Sequence, residues 1–204
     1  MKTISCMKIE ENILLSSGAD IKSYNPKEFI FREEDSPHCY FQIASGTVKI
    51  NHYNEDGGEF IHNILGEKQS LGDSMLFLDK KYPMNAVALT PCTVFCLPKK
   101  TFLNLLDQYP DISKQMNSCL SHHLYFKTLM IQNMASNNPA VRIKGLIDYL
   151  KSFHDCDDQF SFQIKLTRQH IADLTGLRVE TVIRTLKKME KENILKIENR
   201  HIFY

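Results

Sequence analysis

The hydrophobic pattern of this chain changes near residue 98. Before that point, short runs of β-branched and aromatic residues alternate with turn residues, which is typical of antiparallel sheets. The runs 39–44 and 47–53 flank Ser45-Gly46, a two-residue hairpin signal. A second turn leads into the run 59–65. The sequence therefore predicts two adjacent hairpins in a β-sandwich or barrel that helices follow, so the chain is of the α+β class.

Helical spacing takes over after this β region. Pro110 stands near the first turn of a long helical stretch, about 111–135, whose apolar residues recur at intervals of three and four. These residues are Ile112, Met116, Leu120, Leu124, Ile131 and Met134. An apolar stripe on a long helix between two domains suits a partner helix, so it predicts the seam of a homodimer. Packing within the chain is the alternative. The segment 136–139 is interpreted as a hinge.

The segment 166–191 has the residue pattern of a helix-turn-helix. Thr167 can cap the first helix, Ala172 is small where the second helix must cross closely, and Gly176 supplies the positive φ of a tight turn. The inward face is predicted to consist of Ile171, Leu177, Val182, Leu186 and Met189. A closing pair of strand-like runs after residue 193 predicts a hairpin, which makes the domain a winged helix.

The other face of the second helix is expected to contact DNA. Base contacts are expected from Val179, Glu180, Ile183 and Arg184. Arg184 can donate two hydrogen bonds to guanine, Glu180 can accept one from cytosine, and an aliphatic side chain can touch a thymine methyl. Phosphate contacts are expected from Thr167, Arg168, Gln169, Arg178, Thr181, Lys187 and Lys188. Residues 140–204 hold 12 Lys and Arg against 9 Asp and Glu, a small excess that fits double-stranded DNA as a partner.

Two stretches carry a family resemblance, Leu166-Thr167-Arg168-Gln169 and Glu180-Thr181-Val182 followed by Arg184. They are similar to the DNA-binding signature of the Crp/Fnr family of transcription factors, and the resemblance runs over nearly the whole chain. Val179 before Glu180 looks more like the Fnr branch of that family. The resemblance therefore implies a homodimer on a pseudo-palindromic operator with TTGA-like half-sites, and RNA polymerase as a further partner.

The resemblance also implies how the chain is divided. It implies a cyclic-nucleotide-binding-like β jelly-roll sensor domain at 1–110, a dimerisation helix and hinge at 111–138, and a winged helix-turn-helix at 139–204. The acidic loop 155–158 is interpreted as solvated, with a contact to RNA polymerase as the alternative.

The sensor half departs from the family where ligand chemistry matters. In the family's cyclic-nucleotide pocket a Gly-Glu pair precedes an arginine that pairs with the cyclic phosphate, whereas Gly72-Asp73 stands here and no arginine follows within 71–86. Lys80 or Lys81 could replace that bidentate partner only as a point charge. The residues left for an effector pocket are Gly72, Asp73, Ser74, Lys81, Asn85, Lys127 and Thr128. We therefore expect an unidentified effector or redox signal rather than cyclic AMP. A cyclic-nucleotide-responsive regulator or binding module is the alternative.

No cofactor is expected. The cysteines are scattered, which favours reduced thiols over a disulfide framework, a zinc site or an iron–sulfur cluster. They are Cys6, Cys39, Cys92, Cys96, Cys119 and Cys156. Cys92 and Cys96 would lie on one face of a strand but about 13 Å apart, too far to share a metal. Haem or metal binding at His122-His123 is the remaining alternative, although adjacent helical residues point in different directions.

Composition narrows the class of protein further. With 43% hydrophobic and 24% charged residues the chain is expected to fold. No run reaches the roughly 18 apolar residues of a membrane span and no secretory signal is recognisable, so we expect a cytoplasmic protein without membrane contact. An enzyme with a cupin-like metal site is not expected, because His38, His52 and His62 show no grouped metal-ligand pattern.

Overall fold

The computed structural model describes residues 8–152 and 158–204. The chain forms two compact units, the first reaching to Ser121 and the second running from His122 to Tyr204. Cys6, Cys156 and most of the acidic loop 155–158 lie outside the described residues. The domain limits at 110 and 138 stay predictions.

The described part of the first unit is built on eight strands. They are β1 Asp20–Tyr24, β2 Phe29–Phe31, β3 Cys39–Ser45, β4 Val48–Tyr53, β5 Glu59–Leu65, β6 Ser70–Leu71, β7 Asn85–Ala88 and β8 Cys92–Pro98. They pair antiparallel in two four-stranded sheets, ordered β1-β8-β3-β6 and β2-β7-β4-β5. This alternation between two sheets is the double Greek key of a jelly roll, so the predicted fold of this region is confirmed.

One of the two predicted hairpins is wrong. β4 and β5 do form a hairpin, in which Tyr53 pairs with Glu59. In contrast, β3 and β4 lie in different sheets, and β3 pairs with β8 and β6 instead. Gly46 between them has φ +94°, and a Cβ there would lie 2.4 Å from the Pro91 carbonyl oxygen. The Ser45-Gly46 signal therefore marks a corner where the chain leaves one sheet for the other.

Among the described residues, the α-helices of the first unit are α1 Glu11–Ser16, α2 Lys99–Gln108 and the start of α3 Pro110–Ala135. They bury an apolar cluster against β3 and β8, in which Tyr40 stacks on Phe102 with ring centroids 4.5 Å apart. Ile112 and Met116 belong to this cluster, and Leu120 packs against it. This corrects the predicted dimer stripe at Ile112 and Met116, because these two side chains are buried in the chain's own core.

The second unit continues from α3 into a small helical domain with a three-stranded sheet. Its elements are α4 Pro139–Lys151, β9 Gln163–Ile164, α5 Arg168–Thr175, α6 Val179–Lys191, β10 Lys196–Glu198 and β11 His201–Phe203. The sheet order is β10-β11-β9. Asn199 and Arg200 both have positive φ (47° and 68°), the backbone that a two-residue type I′ turn needs. The predicted winged helix is confirmed.

Candidate nucleic-acid interface

The turn between α5 and α6 has the geometry that its sequence predicts. Thr167 caps α5, since its hydroxyl oxygen accepts a hydrogen bond from the His170 N–H at 3.0 Å. Gly176 ends α5 with φ 63° and ψ 32°, the left-handed conformation that glycine adopts without strain. The Leu177 N–H donates back to the Ala172 carbonyl oxygen at 3.0 Å. These local bonds fix the angle at which α6 leaves the turn.

The inward face of α6 is buried as predicted. Val182, Leu186 and Met189 are almost fully covered, and Ile171 on α5 is too. Thr185 is a buried polar residue that was not predicted, and its hydroxyl donates to the Thr181 carbonyl oxygen at 2.7 Å. Because one side of α6 is held in the core, its opposite side must face outward.

That outward side carries the predicted base-contacting residues. Glu180 and Arg184, one helical turn apart, are exposed and line one shallow concavity with Arg178 and Thr181. Ile183 beside them is 42% exposed. Within residues 8–152 and 158–204, neither Glu180 nor Arg184 forms an ion pair. Their hydrogen-bonding groups are therefore available to a partner. Val179, at the start of the helix, is half-buried.

The predicted phosphate contacts divide into two groups. Arg178, Lys187 and Lys188 are exposed on or beside α6, although Lys188 also lies 3.8 Å from Glu192. The side chains at the start of α5 already have partners in the chain. Thr167 caps the helix, and the Gln169 amide donates to Asp173 at 2.8 Å.

Arg168 makes a contact that the sequence pattern did not reveal. Its guanidinium donates to the Arg200 carbonyl oxygen in the wing turn at 2.6 Å. Arg168 therefore links the start of α5 to the wing. The only sequence signal was the polar Glu198-Asn199-Arg200 turn, whose partner lies 32 residues away.

The jelly roll formed by β1 to β8 corresponds to the predicted sensor domain, and we call it the sensor roll. In it, Gly72-Asp73 lies at the start of a short 3₁₀ helix, Asp73–Phe77. Asp73 is 4% exposed, and its two carboxylate oxygens accept hydrogen bonds from the Ser70 hydroxyl at 2.5 Å and from the Ser74 N–H at 2.8 Å. The prediction that this carboxylate serves an effector pocket meets a difficulty here, because the group is already bonded inside its own chain.

Two aromatic rings cover Gly72. A Cβ on Gly72 would lie 2.7 Å from Tyr82 and 3.0 Å from Phe31, and these two rings stack with centroids 3.8 Å apart. Burial raises the pKa of the Tyr82 hydroxyl above its usual range. Among the described residues that hydroxyl has no hydrogen-bond partner. The space above Gly72 is thus filled by the chain's own side chains.

Two further predicted pocket residues of the first unit, Asn85 and Lys81, have partners other than Asp73. Asn85 is buried and bonded, accepting from the Glu33 N–H at 2.9 Å, whereas Lys81 is exposed and lies 3.3 Å from Glu34. Ser74 is exposed. Lys127 and Thr128 lie on the part of α3 that belongs to the second unit.

The structure brings together two histidines that the sequence pattern did not connect. His52 on β4 and His62 on β5 lie 2.9 Å apart, nitrogen to nitrogen, because the two strands pair there. The described part of the chain contains no group of three His, Cys, Asp or Glu side chains placed to hold a metal. Cys92, Cys96 and Cys119 are buried thiols. Burial and the neighbouring Cys39 raise the pKa of Cys96 to about 12, which keeps this thiol protonated.

Comparisons with known proteins agree on the family. A family described as the cyclic nucleotide-binding domain matches residues 21–109, and a family described as the Crp-like helix-turn-helix domain matches residues 143–203. The chain is 27% identical over 188 residues to the cAMP-activated global transcriptional regulator CRP of Salmonella typhimurium, covering 91% of this chain and 90% of that protein. It is 27% identical over 176 residues to the fumarate and nitrate reduction regulatory protein of Yersinia pestis, covering 85% and 70%.

A solved structure shares the fold. A mutant of CooA from Carboxydothermus hydrogenoformans superposes with a TM-score of 0.79 at 17% identity, covering 96% of this chain and 87% of that one. The two matched domains together account for more than two thirds of the residues. The chain therefore belongs to the Crp/Fnr family and is a DNA-binding transcription regulator of that type. No helix among its described residues is long and apolar enough to cross a membrane.

Proposed function

We propose that the chain is a homodimeric regulator whose α6 recognises a pseudo-palindromic operator with TTGA-like half-sites. The observation that carries this proposal is the arrangement of α6, in which Val182, Leu186 and Met189 are buried while Glu180 and Arg184 project outward. A helix held this way presents a polar ridge of the width that enters a major groove.

The exposed side chains match the chemistry of base edges. The Arg184 guanidinium can donate two hydrogen bonds to guanine O6 and N7, and the Glu180 carboxylate can accept from cytosine N4. Ile183 offers an aliphatic surface to a thymine methyl group. Arg178, Lys187 and Lys188 supply positive charge for phosphates on either side. Together these groups suit a half-site with a guanine–cytosine pair next to thymine.

The second half of α3 supports the dimer. Leu124 and Ile131 are each 69% exposed and lie seven residues apart, so they fall on the same side of the helix. Met134 at its end is half-buried. Large aliphatic side chains left in water on a long helix favour association with a second copy. A two-fold dimer would place two α6 helices about 34 Å apart, one turn of DNA.

For the effector, we propose a signal other than cyclic AMP and no resident cofactor. The absence of an arginine after Gly72-Asp73 and the aromatic cover over Gly72 support this. The match to a cyclic nucleotide-binding domain favours the second candidate, a cyclic-nucleotide-responsive regulator. Calorimetric titration with cyclic AMP and cyclic GMP separates them: heat of binding near micromolar concentration would support the second candidate. We further propose that the protein acts in the cytoplasm, that it contacts RNA polymerase and that it has no catalytic role.

Selection of binding sites from a random DNA pool tests the central claim. We expect enrichment of two inverted half-sites whose centres lie about 10 base pairs apart. The selection is run with and without oxidant, because the sensor signal is unknown. A pool that stays random under both conditions would reject sequence-specific binding. A single, unpaired half-site would reject the dimer alone.

A further inference from the structure

The corner between α3 and α4 is more tightly bonded than a flexible hinge. Asn138 caps α4, since its side-chain oxygen accepts from the Ala140 N–H at 3.0 Å, and Pro139 follows at the first helical position. The Asn138 N–H donates to the Ser136 hydroxyl at 3.2 Å. Ser136 and Asn138 of the predicted hinge are thus held by specific hydrogen bonds, which a change of direction here must break.

Arg142 joins this corner to the helix-turn-helix. Its Nε donates to the Ser136 carbonyl oxygen at 2.8 Å, and its Nη1 makes a longer contact with the Thr175 carbonyl oxygen at 3.5 Å. Ser136 comes directly after the last residue of α3, and Thr175 is the last residue of α5. Carbonyl groups at helix C-termini lack intrahelical partners and carry partial negative charge, which a guanidinium satisfies. The Arg142 side chain therefore donates to carbonyl groups at the C-terminal ends of two helices, α3 and α5.

A second contact ties α3 to α4 independently. Gly145 on α4 lies against Asn133 on α3, and a Cβ on Gly145 would come within 1.9 Å of the Asn133 amide nitrogen. A larger residue at this position would require the Asn133 side chain to move. The last turns of α3 are thus held against the first turns of α4, so a movement of α3 reaches Arg142.

We propose that Arg142 is a positioning residue that transmits the state of α3 to the recognition helix. The inference rests on the proposed function, because it explains how α6 is oriented for DNA. Thr175 directly precedes the Gly176–Arg178 turn from which α6 begins, so its carbonyl group lies close to the point that sets the direction of α6. When both contacts of Arg142 hold, α6 keeps one orientation relative to the end of α3. When the Ser136 contact breaks, that orientation is released.

This role differs from that of an arginine that binds DNA. The Nε and Nη1 donors of Arg142 face carbonyl groups of the protein, so we expect its replacement to remove no phosphate contact. Replacing Arg178, which is exposed beside α6, should remove one phosphate contact in each protomer. The two cases separate by salt dependence, because each lost phosphate contact lowers the slope of log K against log salt by about 0.9.

The test measures binding of the full-length Arg142→Lys and Arg142→Gln variants to the selected operator and to random duplex, at several salt concentrations. Lysine keeps the charge but cannot reach two carbonyl groups with a planar fork. We expect operator affinity to fall about tenfold for Arg142→Lys and more for Arg142→Gln, with unchanged salt slope and unchanged binding to random duplex. Arg178→Gln is the control, with a shallower slope on both DNAs.

Two outcomes would overturn the inference. One is operator affinity equal to that of the original chain, and the other is an equal loss on both DNAs with a shallower slope. Titration of each variant with operator at concentrations well above Kd gives the fraction of protein able to bind DNA, and affinities are corrected for this fraction. Should Arg142→Gln fail to fold, hydrogen exchange of Arg142→Lys decides: amides 176–179 must exchange about tenfold faster while the α6 interior does not change. If the original chain selects no operator, the proposed function fails, whatever Arg142 does.

Discussion

The polar side chains of the two predicted sites differ in exposure and in hydrogen bonding. On α6, Glu180 and Arg184 are exposed and form no ion pair within the described ranges. In the sensor roll, Asp73 and Asn85 are buried and bonded to their own chain. The first site is open to a partner as it stands, whereas the second is closed around its own side chains.

This difference bears on the proposed control of DNA binding by an effector. An open, rigidly held recognition face needs only to be brought to the right position on DNA. The sensor interior offers no such ready surface around Gly72, because Phe31 and Tyr82 occupy it. An effector that enters there must displace those rings, which changes the packing of the roll. Our hypothesis is therefore that the interior of the sensor roll is closed while the outward face of α6 is open to DNA. The following experiments test both parts.

The largest effect is expected from Arg184→Ala, which tests whether the open site works as inferred. Each bidentate arginine–guanine pair contributes about 1–3 kcal/mol of discrimination, and a dimer holds two. Operator affinity should therefore fall roughly a hundredfold or more, and the preference for guanine at the contacted position should disappear. Fluorescence anisotropy with the selected operator and with its guanine-substituted form measures both. Lys191→Ala, an exposed cation at the end of the same helix, is the control. An unchanged base preference would exclude Arg184 from base contact.

A smaller effect, confined to the closed site, is expected from Gly72→Ala. The added methyl would meet Tyr82 at 2.7 Å, and the residue has φ +61°. Overpacking and backbone strain together should lower the free energy of unfolding by about 1–3 kcal/mol. Gly57→Ala is a matched control, since Gly57 has φ +78° but nothing within 4 Å. Urea denaturation compares the two variants. Equal losses would mean that the space above Gly72 is open after all.

The same contrast explains what could be predicted from the sequence. The helix-turn-helix was predictable because its signals are local: Thr167 caps the helix that it precedes, and Gly176 makes the turn in which it stands. The corner at Gly46 was not, because a Ser-Gly pair between two strands suits a hairpin equally well. What decides against a hairpin is the pairing of β3 with β8, about fifty residues further along the chain.

Interactions of long side chains across large sequence separations were also beyond prediction. Arg168 has the position of a phosphate contact, yet its guanidinium reaches the wing at Arg200. Ile112 and Met116 have the spacing of a dimer stripe, and no pattern within α3 shows that α1 and α2 cover them. Periodicity identifies the apolar side of a helix, but it does not identify what packs there.

In the second unit, Tyr204→Phe should have a modest, pH-dependent effect. The Tyr204 hydroxyl donates to Asp148 at 2.6 Å, and Lys144 lies 2.8 Å from the same carboxylate. Burial and the bond to Asp148 raise the pKa of Tyr204, and its hydrogen bond to Asp148 raises the pKa of Lys144. Because both pKa values are higher in the folded state, their stabilisation is present below about pH 10 and is lost as the pH rises further.

The variant should therefore be less stable by about 1 kcal/mol or less at pH 7, since the cluster is partly exposed. Thermal unfolding between pH 7 and pH 11 measures the difference, which should shrink towards zero at the alkaline end. Tyr53→Phe, at an exposed tyrosine of the first unit, should show no such trend. A constant difference across this range would mean that the Tyr204 hydroxyl does not stabilise the wing through Asp148.

The smallest change, and the sharpest test of the closed sensor, is Tyr82→Phe. Among the described residues the Tyr82 hydroxyl is buried without a hydrogen-bond partner, while its ring stacks on Phe31. Removing an unsatisfied buried hydroxyl should leave stability unchanged or raise it by up to about 1 kcal/mol. Tyr40→Phe is the matched control, because the Tyr40 hydroxyl donates to Gln42 at 2.9 Å and its loss should cost about 1 kcal/mol. If Tyr82→Phe is as destabilising as Tyr40→Phe, water or another ligand reaches that hydroxyl, and the sensor interior is an occupied site rather than a closed core.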